Sequence, residues 1–171
     1  MRGRLEQIPV ATGCCDLVWC RDALSVADCT AALGELARIT RPDGTVLLHT
    51  SCATPLLEPD EREALFTDLA LAPTSMEPAA VEREAARAGL LLQEHVLVGN
   101  QWLQHRLERN PTPDELLKLA RLIQWPERYA AAWGEAWYRR ILRWHQWPVY
   151  QALGKLQGHV WVFRAGGEHG R

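Results

Sequence analysis

An α/β fold is what this sequence predicts, and three observations carry that expectation. Two short, nearly continuous apolar runs, Asp16-Leu17-Val18-Trp19-Cys20 and Thr45-Val46-Leu47-Leu48-His49-Thr50, have the pattern of strands buried on both faces, as in a parallel sheet. Between them an amphipathic helix is expected from about Asp28, a side chain able to cap it, through Thr40. Its apolar face would carry Leu33, Leu36, Ala37 and Thr40. Arg41-Pro42-Asp43-Gly44 then has the composition of a turn. Strand, helix, turn and strand make one βαβ unit, whose crossover should be right-handed.

The later elements follow from equally local signals. Pro59 can open a helix whose first turn gathers Asp60, Glu61 and Glu63, where the helix dipole favours negative charge. A further helix is expected over 78–88, opened by Pro78 and closed by Gly89 just past its end. Leu90 to Val98 has strand composition. Thr112-Pro113-Asp114-Glu115 joins a capping box to a proline in the first turn, and Leu116, Leu119, Ala120 and Ile123 form the stripe of the helix behind it. One more helix should follow Pro126, with Trp133, Trp137, Ile141 and Trp144 on one side, and end at Pro148. His159 to Arg164 completes the pattern as a returning strand.

Composition narrows the function classes. The 171 residues suit one domain, and 47% hydrophobic with 23% charged residues excludes wholesale disorder. A formal net charge of −2 argues against a protein that grips nucleic acid through its phosphates, so no nucleic-acid partner is expected. No apolar run approaches the ~18 residues of a membrane helix. The first ten residues, MRGRLEQIPV, lack the apolar stretch of a secretory signal. Five cysteines, at 14, 15, 20, 29 and 52, are odd in number and irregular in spacing. Reduced thiols and a cytoplasmic location are the simpler expectation. No C-x-x-C knuckle or H-x3-H spacing is present, so no metal site is expected.

Certain segments carry a family likeness. Cys15-Asp16-Leu17-Val18-Trp19-Cys20-Arg21-Asp22-Ala23-Leu24, followed by Leu36-Ala37-Arg38-Ile39-Thr40-Arg41-Pro42-Asp43-Gly44-Thr45-Val46-Leu47-Leu48, resembles class I S-adenosylmethionine-dependent methyltransferases. The likeness lies in the family's fourth strand, the next helix and its fifth strand. Gly3-Arg4-Leu5-Glu6-Gln7-Ile8-Pro9 is similar to the segment just upstream. The stretch from Trp147 to Leu156 is similar to the tail of small-molecule methyltransferases of this type. The resemblance implies a partial Rossmann-like sheet with flanking helices and a Trp-rich helical segment. Residues 1–171 would form a single, N-terminally incomplete domain. Its parts would be a βαβ core portion at 1–100, a helical cap-like segment at 101–157 and a returning strand at 158–164. The glycine-rich turn and the ribose-binding acid of the family have no counterpart here, since the residues before Gly13 hold no G-x-G.

The same resemblance implies site residues. Leu5 and Glu6 would flank the adenine of S-adenosyl-L-methionine, and Cys20, Arg21 and Asp22 would border its methionine part at the carboxyl end of a strand. A solvated loop pair is the plainer reading of Arg21 and Asp22. His49 ends the neighbouring strand and is a candidate base, although a histidine bonded to a nearby loop is the commoner outcome. Six of the eight tryptophans lie between Trp102 and Trp147. Core packing is the first expectation for them. A substrate-lining role for Trp102, His105, His145 and Tyr150 is the sharper one. The function implied is methyl transfer from S-adenosyl-L-methionine to a small-molecule acceptor. The competing readings are a non-catalytic remnant that serves as an interaction module, and a half-enzyme completed by another chain. In the family's sheet order the absent first strand would lie beside strand 16–20. A homodimer or partner chain through that exposed strand is therefore expected.

Overall fold

A computed structural model describes residues 3–99 and 114–166. The strands are β1 (Cys15–Arg21), β2 (Thr40–Ala53), β3 (Leu90–Val98) and β4 (Leu156–Ala165). The helices are α1 (Cys29–Ile39), α2 (Pro59–Leu69), α3 (Pro78–Arg87), α4 (Asp114–Gln124), α5 (Pro126–Trp133) and α6 (Glu135–Ala152). The sheet runs β1-β2-β4-β3, with β1 parallel to β2 and β3 antiparallel to β4. The mixed sheet with flanking helices agrees with the α/β expectation. The chain folds as two compact units. One comprises Met1–Cys52, Leu71–Val98 and Gly158–Arg171, and the other Ala53–Ala70 and Gly99–Gln157.

The first unit holds the expected βαβ segment. Asp28 caps α1 by accepting the Ala31 N–H at 2.8 Å. Leu33 and Leu36 of α1 pack with Val18 and Cys20 of β1, Val46 and Leu48 of β2, and Val81 and Ala85 of α3. Trp161 and Phe163 of β4 complete this core. The turn expected at 41–44 is absorbed into β2 as an irregularity: between Cys15↔Thr40 and Leu17↔Thr45, two steps along β1 face five along β2. Gly44 is required there, because a Cβ would stand 2.9 Å from the Arg41 carbonyl and 3.1 Å from that of Asp16. The opposite face of β1 has no such cover, and Leu17 and Trp19 remain 58% and 62% exposed.

In the second unit the single helix expected after Pro126 is two. Gly134 (φ 83°) separates α5 from α6, a backbone conformation in which the helix cannot continue. Pro148 lies inside α6 and does not end it. The tryptophan stripe is also displaced from the core. Trp133, Trp137 and Trp144 are exposed, while Tyr138 and Tyr150 are buried. The buried Tyr138 hydroxyl donates to the Leu122 carbonyl at 3.1 Å. Helix α6 is tied to α2 through Asp68, which accepts from Arg139 at 3.2 Å and from Arg143 at 2.9 Å. Lys155 pairs with Glu61 beside them.

Candidate functional site

The densest set of candidate residues lies where β1 ends at Arg21, level with His49. His49 does not end its strand as expected, because β2 runs on to Ala53. Asp22 follows β1 with φ 55°, a left-handed conformation that aspartate tolerates better than most residues. Its backbone N–H donates to the His49 carbonyl at 2.9 Å, which fixes the two residues side by side. His49 Nδ1 lies 3.1 Å from Asp22 Oδ1. The contact is close but not aligned as a hydrogen bond. Such pairs commonly tighten only when a ligand is bound. The imidazole, with Arg21 as a lesser contributor, holds the Asp22 carboxyl below its usual range. Arg21 Nε donates to Asp22 Oδ2 at 3.3 Å.

Gly158 of β4 completes this corner. A Cβ there would lie 3.6 Å from His49 Nε2 and 3.1 Å from Val98 Cβ. The missing side chain therefore leaves room beside the ring nitrogen that Asp22 does not face. The arrangement can accept a proton at Nε2 while the carboxylate stabilises the imidazolium.

The other candidates are dispersed. Cys20 points into the core, and burial pushes its thiol up to about 11, so it does not face the strand-end crevice with Arg21 and Asp22. Leu5 packs against the core of the first unit. Glu6 accepts the Asp28 N–H at 3.2 Å, so its carboxylate supports the start of α1. Its pKa is lowered by its own and the Asp28 backbone N–H groups. An open groove beside it is lined by Gly3, Arg4, Ile8, Glu35 and Arg38. Glu35 and Arg38 are already paired with each other there, at 2.7 Å. Tyr150 is buried in the second unit and His145 is half-buried on the same helix. Trp102 and His105 lie outside the described residues. Among the described residues no three His, Cys, Asp or Glu side chains gather as a metal site would. No helix among them is long and apolar enough to cross a membrane.

A second polar cluster was not apparent in the sequence. Glu82 of α3 accepts from Trp161 Nε1 at 2.9 Å and lies 3.1 Å from His95 Nδ1. His95 Nε2 is 2.8 Å from His159 Nδ1, and the two imidazoles stack with the Trp161 ring. The only sequence signal was a histidine on each of two predicted strands, which becomes informative once β3 and β4 are known to pair.

Residues 1–48 match the family profile of a methyltransferase domain. A protein from Galdieria sulphuraria assigned as a sarcosine dimethylglycine methyltransferase superposes over 96% of this chain, with 16% identity and a TM-score of 0.64. The fold is that of a class I methyltransferase. A phosphoethanolamine N-methyltransferase from Haemonchus contortus, solved with S-adenosylhomocysteine, matches 95% of the chain at 15% identity and TM-score 0.62. The cyclase SpnF matches 97% at 12% identity and TM-score 0.59, so the methyltransferase fold alone does not assign the reaction. The chain spans 58%, 36% and 55% of the lengths of these three proteins. No curated protein sequence matches it.

Proposed function

We propose that this chain supplies the acceptor-activating side of an S-adenosyl-L-methionine-dependent methyltransferase site that acts on a small molecule. The observation that supports the reading is the Asp22–His49 pair at the carboxyl end of β1, beside its parallel neighbour β2, a place where ligands bind in open α/β sheets. One bank of the site suits the cofactor: the exposed Asp22 carboxylate complements a cationic sulfonium centre. The opposite bank, a glycine-rich turn whose backbone N–H groups would cradle the cofactor, has no counterpart among the described residues. Bound S-adenosyl-L-methionine supplies an electrophilic methyl group. The chain's own contribution is to hold the acceptor at the end of β1 and take its proton at His49 Nε2. Asp22 then orients the imidazole and stabilises its charged form.

The test is a nuclear magnetic resonance titration of the purified chain with S-adenosyl-L-methionine. Saturable shifts at Arg21, Asp22 and His49, with a dissociation constant of order 1 mM, are expected for half a site. Asp22→Asn should abolish them. Shifts confined to residues away from the β1 end and His49 would overturn the assignment. Low-micromolar affinity would show that one bank is not all the chain provides.

A further inference from the structure

Two thiols at the start of β1 are placed to react as a pair. Consecutive side chains within a strand point to opposite faces, which keeps the sulfurs of adjacent cysteines apart. Cys14 and Cys15 escape that rule because β1 begins only at Cys15. Gly13 precedes them in a left-handed conformation (φ 63°) that a glycine adopts freely. Its N–H donates to the Arg38 carbonyl at 2.9 Å, and the Cys14 N–H donates to the Ile39 carbonyl at 3.1 Å. The backbone is thereby pinned to the end of α1, and the two Sγ atoms stand 3.6 Å apart. Every contact that sets this geometry lies between residues 13 and 39.

The other cysteines are chemically quiet. Cys20, Cys29 and Cys52 are buried, and burial pushes all three thiols up, Cys20 to about 11 and Cys52 to about 12. In the pair, Cys14 is exposed and Cys15 half-buried. The two sulfurs are not equivalent. Contact with the Cys14 sulfur, reinforced by burial, raises the Cys15 thiol, so Cys15 keeps its proton and directs it towards Cys14. Cys14 is left as the nucleophile, with the Arg38 guanidinium, itself paired with Glu35, within electrostatic reach.

We propose that Cys14 and Cys15 form a redox-sensitive modification site that exchanges with low-molecular-weight disulfides. The Cys14 thiolate attacks one sulfur of the disulfide. A mixed disulfide forms, and the expelled thiolate takes up the proton that Cys14 released. Cys15 then loses its proton and attacks Cys14 Sγ, which closes a Cys14–Cys15 disulfide and expels the second thiol. Two protein thiols are oxidised, one disulfide is reduced to two thiols, and no proton is gained or lost overall. Adjacent Cα atoms are only ~3.8 Å apart, against ~4.4 Å or more in ordinary disulfides, so the ring is strained and readily reduced. It is a reversible mark, not a structural staple. The site lies at the amino end of β1, away from the Asp22–His49 corner at its other end, and does not rest on methyl transfer.

The test treats the purified chain with excess oxidised glutathione, stops the reaction by alkylation, and weighs the peptides after cleavage on the amino side of Asp16. That cut separates Cys14 and Cys15 from Cys20. The wild-type peptide 1–15 should become two hydrogens lighter, escape alkylation and recover both thiols in dithiothreitol. Cys15→Ser should stop at a lasting glutathione adduct on Cys14. Cys14→Ser should react at least tenfold more slowly, and both variants should keep the wild-type far-ultraviolet circular dichroism spectrum. In urea, where the Gly13 turn is lost, the preference for this pair over the three buried cysteines should disappear. A wild-type adduct that accumulates without closing the ring would overturn the inference. So would faster oxidation of Cys20, Cys29 or Cys52 in the folded chain, or a folded Cys14→Ser variant that reacts as fast as the wild type.

Discussion

Protonation of His159 gives the sheet unit a measurable weakness to acid. Its side chain is only 6% exposed, stacked on Trp161 and bonded to His95 Nε2 at 2.8 Å. Burial, reinforced by the neighbouring His95, pushes its pKa from 6.5 down to about 4. The unfolded chain therefore takes up this proton more readily than the folded one. The contribution is complete above about 6.5, is lost as pH falls towards about 4, and does not change below that. An interval of this size corresponds to roughly 3 kcal/mol, a large share of the stability of a small protein. His159→Asn retains a hydrogen-bonding group near Nδ1 but cannot titrate in this range. Urea unfolding at pH 7.5, 6, 5 and 4.5 should show the wild type losing about 2 kcal/mol more than the variant, with equal denaturant slopes. Subtraction of the variant removes the carboxylates that titrate at the low end. Parallel pH dependences in the two proteins would refute the reasoning and show that His159 is protonated as easily inside the fold as outside it.

Trp137 is 52% exposed, so Trp137→Ala should change stability by no more than about 0.5–1 kcal/mol, whereas Tyr138→Ala should cost about 3 kcal/mol by thermal unfolding. Gly44→Ala forces a Cβ against the Arg41 and Asp16 carbonyls and should cost about 1–3 kcal/mol, read from the urea midpoint. Glu35 is held down to about 2 by Arg38 and by the Ile8 N–H it accepts at 2.7 Å, so the stability it contributes is complete above 4.5 and falls away towards pH 2. Glu35→Gln should accordingly speed hydrogen exchange at the Ile8 amide at neutral pH, and unchanged exchange there would contradict that role.

Much of this protein was legible locally. Asp28 as a cap, Pro59 and Pro78 as helix openers, and the apolar runs at 16–20 and 45–50 act within a few residues of themselves, so their consequences could be read along the chain. The methyltransferase likeness was legible for the same reason, since its motifs are short and contiguous. Longer helices were less so. A stripe of Trp133, Trp137 and Trp144 has the right spacing for a buried face, yet periodicity does not say which side meets a neighbour. Gly134 broke the helix, and the face of α6 that meets its neighbours carries Tyr138, bonded to the Leu122 carbonyl, and Arg143, bonded to Asp68. Only tertiary structure could place β4 between β2 and β3, joining His95 to His159 across 64 residues. It also set Asp22 against His49, whose pairing depends on the parallel register of two strands separated by a helix. Even within the best-read strand, sequence could not assign the two faces. Burial of Val18 and exposure of Leu17 and Trp19 follow from where α1 and α3 pack, a choice made by the whole core and not by any one segment.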